Sequence, residues 1–238
     1  MAPLGRLETS KTVPSRALGH TLMEIYRRLL ERYGPQGWWP GDGPFETMVG
    51  AILAQNTAWR NVERALTNLK AAGVLSPGAL RSLPEEELAR LVRPSGYFLT
   101  KARKLKALVA HLARYGDDLA AMFRQDTRAL REELLGIWGI GDETADAIVL
   151  YAAGLPSFVI DSYTRRILDR LGLMPERRTY AGYQALFHDH LTRDALLYNE
   201  YHALLDRHAK ATCRKTPLCS RCCLLETCPT GARVLASS

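Results

Sequence analysis

The chain of 238 residues contains no apolar run approaching the roughly 18 residues a membrane-crossing helix requires. Its first stretch, MAPLGRLETSKTVPSRALG, has charges scattered through it and no continuous apolar core, so it does not read as a secretory signal, and a cytoplasmic location is expected. Apolar and polar residues nowhere alternate over a useful length, which excludes a sheet and predicts an all-α fold. Cysteine is absent from the first 212 residues and then occurs five times. In a chain expected to meet a reducing compartment, that crowding argues for metal rather than for disulfides. Acidic residues are in deficit, with 25 Asp and Glu against 32 Lys and Arg for a net charge of +7. Such a balance favours an anionic partner without demanding one, nucleic acid being the obvious case.

The most informative stretch runs from Leu135 to Asp161. The segment REELLGI predicts a helix that stops at a short loop holding Gly139, Ile140 and Gly141, and a second helix resumes at Glu143 with Thr144, Ala145, Ala147, Ile148, Val149 and Tyr151. Glycines at both ends of the loop allow a tight turn and leave amide N–H groups uncovered next to a helix N-terminus, a place where a phosphate fits. Gly154 and Pro156 end the second helix. After the apolar run Phe158, Val159 and Ile160 comes Asp161, ahead of the helical pattern SYTRRILDRLG, so Asp161 is placed at an N-cap. The positive end of that helix keeps a carboxylate ionised, which suits a group facing a developing cation.

Taken alone, each half has a plain reading: a GxG loop for turn geometry, an aspartate as a cap. Together, with Asp161 eighteen residues after Glu143, they resemble the endonuclease III, or helix–hairpin–helix–GPD, superfamily of DNA glycosylases. The matching residues are Ile137-Trp138-Gly139-Ile140-Gly141-Asp142-Glu143-Thr144-Ala145 and Val159-Ile160-Asp161, with Arg165 and Arg166 downstream. Trp138 stands where the family usually has proline. The resemblance implies that Asp161 is catalytic. It also implies that Glu143 occupies the position of the lysine whose amine, in bifunctional members, attacks the sugar and breaks the strand. A carboxylate cannot form a Schiff base, so a monofunctional enzyme is expected.

Upstream, GWWPGDGPFETMVGAILAQNTAW predicts a loop with Trp38 and Trp39, an apolar helix from about Phe45, and Gln55-Asn56-Thr57 at its end. The glutamine alone reads as a cap or staple. The family resemblance gives Gln55 a second role, entering the duplex where the flipped nucleotide was. Trp38 and Trp59 are expected to stack on an extruded base, and the whole WWP…GAILAQNTAW pattern is similar to bacterial 3-methyladenine glycosylases of the superfamily, which also carry glutamate at the lyase lysine position.

Further along, Ser82 and Glu85 are spaced as a capping box for a helix ending at Pro94. Lys101, Arg103, Lys104 and Lys106 form a basic face that could touch phosphates or simply meet solvent. His188, His190, His202 and His208 lie on amphipathic helices without a ligand spacing and read as surface or core residues.

Cys213, Cys219, Cys222 and Cys228 follow in a short loop rich in Arg and Lys. Zinc is the rival reading, but only Cys219 and Cys222 make a close pair, and widely spaced outer cysteines suit a cubane. The superfamily's [4Fe–4S] loop is similar, with one more residue in the first gap. Cys223 is the extra thiol and could replace Cys222.

The resemblance covers about residues 20 to 229 and implies the two-lobed endonuclease III fold. Residues 41–152 would form a helical barrel lobe with the hairpin, and 18–40 with 153–229 a second lobe with the cluster loop; 1–17 and 230–238 are expected to be flexible. The expected partner is double-stranded DNA with a damaged base, bound by a monomer, and the expected substrate an alkylated purine. Two alternatives are a glycosylase and lyase acting on oxidised pyrimidines and a non-catalytic binder of damaged DNA.

Overall fold

The computed structural model describes residues 15–39 and 41–237, and among them helices dominate and no strand occurs. Residues 1–14, expected to be flexible, lie outside the described residues. Residues 15–17, expected to share that flexibility, instead open helix α1 (Ser15–Tyr33), where Leu22, Ile25 and Leu29 recur on one face and are buried.

Helix α2 (Pro44–Leu53) is apolar all round, with every residue from Glu46 to Leu53 buried, so it belongs at the centre of a layer rather than on its surface. It is followed by α3 (Trp59–Ala71), α4 (Pro77–Ser82), α5 (Glu85–Leu91) and α6 (Phe98–Leu112). The single helix predicted across residues 75–94 is thus two. Ser82 is the last residue of α4, and Pro84, which lacks an N–H and holds Leu83 extended, forces the break, so the expected capping box does not form. Ser76 caps α4 instead, accepting from the Ala79 amide.

After the one-turn α7 (Leu119–Met122) come α8 (Thr127–Leu135), α9 (Asp142–Ala147), and a π turn over Ile148–Ala152. Then follow α10 (Ser162–Arg170), α11 (Tyr180–His188), α12 (Ala195–Ala211) and α13 (Pro229–Ala236). The tail expected to be flexible from residue 230 is therefore helical through Ala236. Cys228 is its N-cap, accepting from the Gly231 amide at 3.3 Å, and Pro229 is preset for the first turn.

Contacts fall into two sets. In one, α2 packs on α3 and α6, α5 on α3 and α6, and α4 on α6; in the other, α12 packs on α1 and α10, with α11 and α13 added at the sides. The π turn touches α2 on one side and α12 on the other, so the two lobes meet along it. No helix of the described residues is long and apolar enough to cross a membrane.

The basic face of α6 serves the interior. Lys101 is buried and donates to the carbonyls of Leu53 and Ser95 at 2.8 and 2.6 Å; burial first, and then Lys104, lower its amine to about 8. Lys106 donates to the carbonyls of Leu80 and Arg81 at 2.8 and 2.9 Å and to that of Leu83, holding the C-terminus of α4. Arg103 pairs with Glu85. Only Lys104 points toward the hairpin.

Candidate active-site cleft and cysteine loop

The hairpin forms where the sequence places it. Asp126 caps α8, its carboxylate accepting from the amides of Arg128 and Ala129 at 2.9 Å. The chain reverses at Gly139, whose φ of +86° favours glycine, and a Cβ there would also strike the Lys104 side chain. Ile140 turns into the core, leaving its backbone at the surface, while Trp138 stands 58% exposed at the tip. Among the described residues, the amides of Gly139, Gly141 and Asp142 find no protein acceptor. The charge of Asp142, which would oppose an anion here, is met by Arg131 at 2.6 Å.

Gln55 is docked onto this hairpin. Its Nε2 donates to the Gly139 carbonyl at 3.2 Å and to Thr144 Oγ1 at 2.9 Å, and its Oε1 accepts from Lys104 Nζ. The glutamine therefore sits at the rim of a cleft of about 460 Å³ that also gathers Trp38, Trp59, Glu143, Thr144 and Asp161. Six of the residues singled out in the sequence share this one space. Gly139, Ile140 and Gly141 stand just outside it.

Aromatic faces make one wall. Trp39 packs edge-on to Trp59 with centroids 4.8 Å apart and lies 5.0 Å from Tyr151, while Trp38 leans on both tryptophans at 5.7 and 6.2 Å. Trp39, though noticed in the loop, was not among the residues expected to stack on a base; it is the member that holds the group together.

Asp161 is the N-cap of α10, its Oδ1 accepting from the Thr164 amide at 2.7 Å. The Glu143 carboxyl is pushed up to about 7, first by desolvation and then by the charge of Asp161, with Arg165 opposing. The residue is exposed at the cleft mouth, where water screens part of that effect. The cleft thus pairs a carboxylate at a helix N-cap with one that gives up its charge near neutrality.

The third wall went unread in the sequence. His202, Asp206 and Lys210 recur every fourth residue on α12 and line the cleft together. Lys210 pairs with Asp206 at 2.7 Å and lies over the rings of Trp38 and Tyr163. The expectation that His202 is a plain core or surface residue needs correction: it is buried, yet it faces the cleft. The other histidines match it; His188 Nε2 accepts from the Phe158 amide, and His208, which burial lowers to about 4, meets the Tyr33 hydroxyl at 3.0 Å.

At the C-terminal end Cys213, Cys219, Cys222 and Cys228 line one cavity beneath Arg170 and Gly231. Arg170 donates to Cys213 Sγ at 3.2 Å, a contact that suits sulfur carrying negative charge, while Cys228 Sγ accepts from the Gly231 amide and donates to the Arg170 carbonyl, both at 3.3 Å. Cys223 is not in that cavity; it lies with Glu24, Arg28, Glu31 and Arg32 beside α1. Among the described residues no three His, Cys, Asp or Glu side chains converge tightly enough to hold one ion. Four thiols lining one cavity are a donor set that would fit an iron–sulfur cluster.

A two-lobed helical fold, with a hairpin of open amides beside a cleft that holds a capped aspartate, defines a base-excision DNA repair class. The chain belongs to the HhH-GPD superfamily of base excision DNA repair proteins, whose pattern it matches over residues 49–191. It is 44% identical over 209 residues to a Methanocaldococcus jannaschii protein assigned as a DNA repair glycosylase, covering 87% of this chain and 95% of that one. The structure of Helicobacter pylori 3-methyladenine DNA glycosylase bound to 1,N6-ethenoadenine superposes with a TM-score of 0.70 at 29% identity, over 83% of this chain and 98% of the other. A trapped endonuclease III–DNA covalent intermediate gives a TM-score of 0.77 at 20% identity over 91% and 98% of the two chains, a likeness of fold.

Proposed function

We propose that the protein is a DNA glycosylase that hydrolyses the N-glycosidic bond of a flipped-out alkylated purine and leaves the abasic site uncut. The observation that carries this reading is the pairing of Glu143 with Asp161 in a cleft walled by Trp38, Trp39 and Trp59. A cationic purine is attracted both by carboxylates and by indole faces. The amides around Gly139 and Gly141 hold a phosphate near the lesion, Gln55 leaves its dock to fill the gap in the duplex, and Trp38 and Trp59 stack on the base. Asp161 stabilises the oxocarbenium-like sugar and takes the proton of the attacking water. The two lobes, taken as residues 41–152 and as 18–40 with 153–229, close on the duplex from either side.

The lyase reading has a specific observation to answer. Lys210 lines the cleft and carries an amine. That amine is engaged by Asp206 at 2.7 Å rather than free toward a sugar, which supports the monofunctional reading.

A [4Fe–4S] cluster on Cys213, Cys219, Cys222 and Cys228 completes the proposal; when bound, it would supply cross-links that tie the end of α12, the loop and the start of α13 together. Arg170 braces that loop from α10 through the carbonyls of Cys213, Arg214 and Lys215.

The test is an excision assay on duplexes carrying a single alkylated purine or a single oxidised pyrimidine, each reaction divided and developed with and without hot alkali. Breaks that need alkali, on the alkylated duplex, are the expected result. Breaks without alkali would show a working lyase amine and overturn the monofunctional reading, and a protein that binds these duplexes but never cuts them would be the non-catalytic binder.

A further inference from the structure

Two polar atoms in the cleft face one another without a hydrogen bond. His202 is 7% exposed, and its Nε2 has no hydrogen-bond partner among the described residues. It lies 3.8 Å from Asp161 Oδ2. The other oxygen of that carboxylate is occupied by the Thr164 amide, so Oδ2 is the one left for a donor.

The opposite edge of the imidazole is fixed. Nδ1 is 2.5 Å from the Tyr151 hydroxyl. Burial, followed by the charges of Asp161 and Asp206, raises that phenol well above its ordinary range, so it keeps its proton. Among the described residues the hydroxyl has no other acceptor, and its proton therefore goes to Nδ1. A ring that accepts at Nδ1 carries its own proton at Nε2, aimed at Asp161. The ring is also held by packing, with Phe158 edge-on to it and Tyr151 tilted against it.

We propose that Tyr151 and His202 form a positioning pair for the glycosylase reaction: when substrate enters, Nε2–H closes on Asp161 Oδ2 and fixes the plane of the carboxylate toward the sugar. Active-site hydrogen bonds are commonly long in the free protein and tighten in the complex. The inference rests on the glycosylase reading above. In that hydrolysis the bond from C1′ to the base nitrogen breaks with its electron pair leaving on the base, which for a cationic purine departs neutral. The water oxygen bonds to C1′ and its proton passes to the Asp161 carboxylate. His202 neither gives nor takes a proton; it holds the group that does.

The test uses the full-length protein and two readouts. One is single-turnover release of 3-methyladenine from a duplex treated with dimethyl sulfate. The other is affinity for a duplex containing a tetrahydrofuran abasic-site analogue. His202→Phe keeps the ring volume and loses the donor; its release rate is expected to fall on the order of tenfold to hundredfold, the worth of one hydrogen bond to a charged group. Affinity should stay within about twofold, since only the reacting state is touched. His202→Gln, which restores an amide donor, should recover part of the rate, and Tyr151→Phe, which frees the tautomer, should fall between. A His202→Phe protein at the wild-type rate overturns the inference, and so does a Gln variant no better than Phe or a loss of affinity in step with rate. Wild-type protein that releases no methylated base overturns the glycosylase reading itself, and the inference with it.

Discussion

The hairpin and the cleft beside it use the same kinds of polar residue to opposite ends. Between α8 and α9 the buried charge is answered. Arg131 on α8 reaches Asp146 on α9 through Nε at 2.8 Å and Nη2 at 3.1 Å, its Nη2 also meets Asp142, and Ser157 adds a further bond to Asp146, which is wholly buried. Across the cleft, among the described residues, Trp38 Nε1 and His202 Nε2 have no hydrogen-bond partner although both are shielded from water, and Asp161 keeps one oxygen open. Unmet buried polar atoms are costly and uncommon in native proteins. Two of the four such side-chain atoms among the described residues lie at the cleft, which leaves groups there for something the protein binds, while the Arg131–Asp146 network serves as the frame against which that ligand is positioned.

Three changes would break or sharpen this contrast. The largest effect is expected for Asp161→Asn. Single-turnover excision should fall by about 10²- to 10⁴-fold. Because asparagine caps a helix as well as aspartate does, the melting temperature should scarcely move. A melting point that dropped along with activity would put Asp161 in the frame instead. Next comes Asp146→Ala, which strands Arg131 partly buried. A loss of about 3 kcal/mol is expected, or some 6–12 °C on a thermal melt. An unshifted melt would mean that the hairpin is held by apolar packing alone.

The smallest effect belongs to Glu143→Gln. The Glu143 carboxyl rises from its ordinary 4.5 to about 7 on folding, so within that window the folded protein holds a proton the unfolded chain has released. Its contribution to stability is present below 4.5 and is lost as pH climbs through 7. Melting curves should therefore show glutamine gaining on the parent at pH 8 and not at pH 5, by a small margin because water reaches the group. The same variant should lose action on cationic bases more than on neutral ones; equal losses would remove Glu143 from base selection.

Much of this arrangement was legible before the structure. The helix periods, the turn at Gly139 and the cap at Asp161 are local features, and local features survive folding. What the sequence hid depended on distance along the chain. Lys101 and Lys106 looked like a solvated basic face because nothing nearby in sequence reveals that carbonyls of α2 and α4 will need capping from α6. His202, Asp206 and Lys210 share an amphipathic helix with true core residues, and periodicity cannot tell a face turned to a cleft from one turned to a core. Cys222 and Cys223 were indistinguishable until packing sent the first toward the other thiols and the second toward α1. Residues 230–236 carried too weak an apolar pattern to suggest α13, and the Cys228 cap that starts it depends on how the cysteine loop closes.

Gln55 gives the docked hairpin a further meaning. Its amide is held by the Gly139 carbonyl, Thr144 and Lys104 at once. Three such bonds sum to about 2 kcal/mol net, so the side chain swings free in only a few per cent of molecules at any moment. Under the proposed function, the latch would stay shut on intact DNA, where no vacancy waits, and the protein could slide past. At a lesion that has left the stack, the orphaned partner base offers Gln55 replacement bonds and the latch opens. Under the proposed reading, the glutamine is therefore a threshold as well as a wedge, screening out undamaged pairs before any chemistry begins.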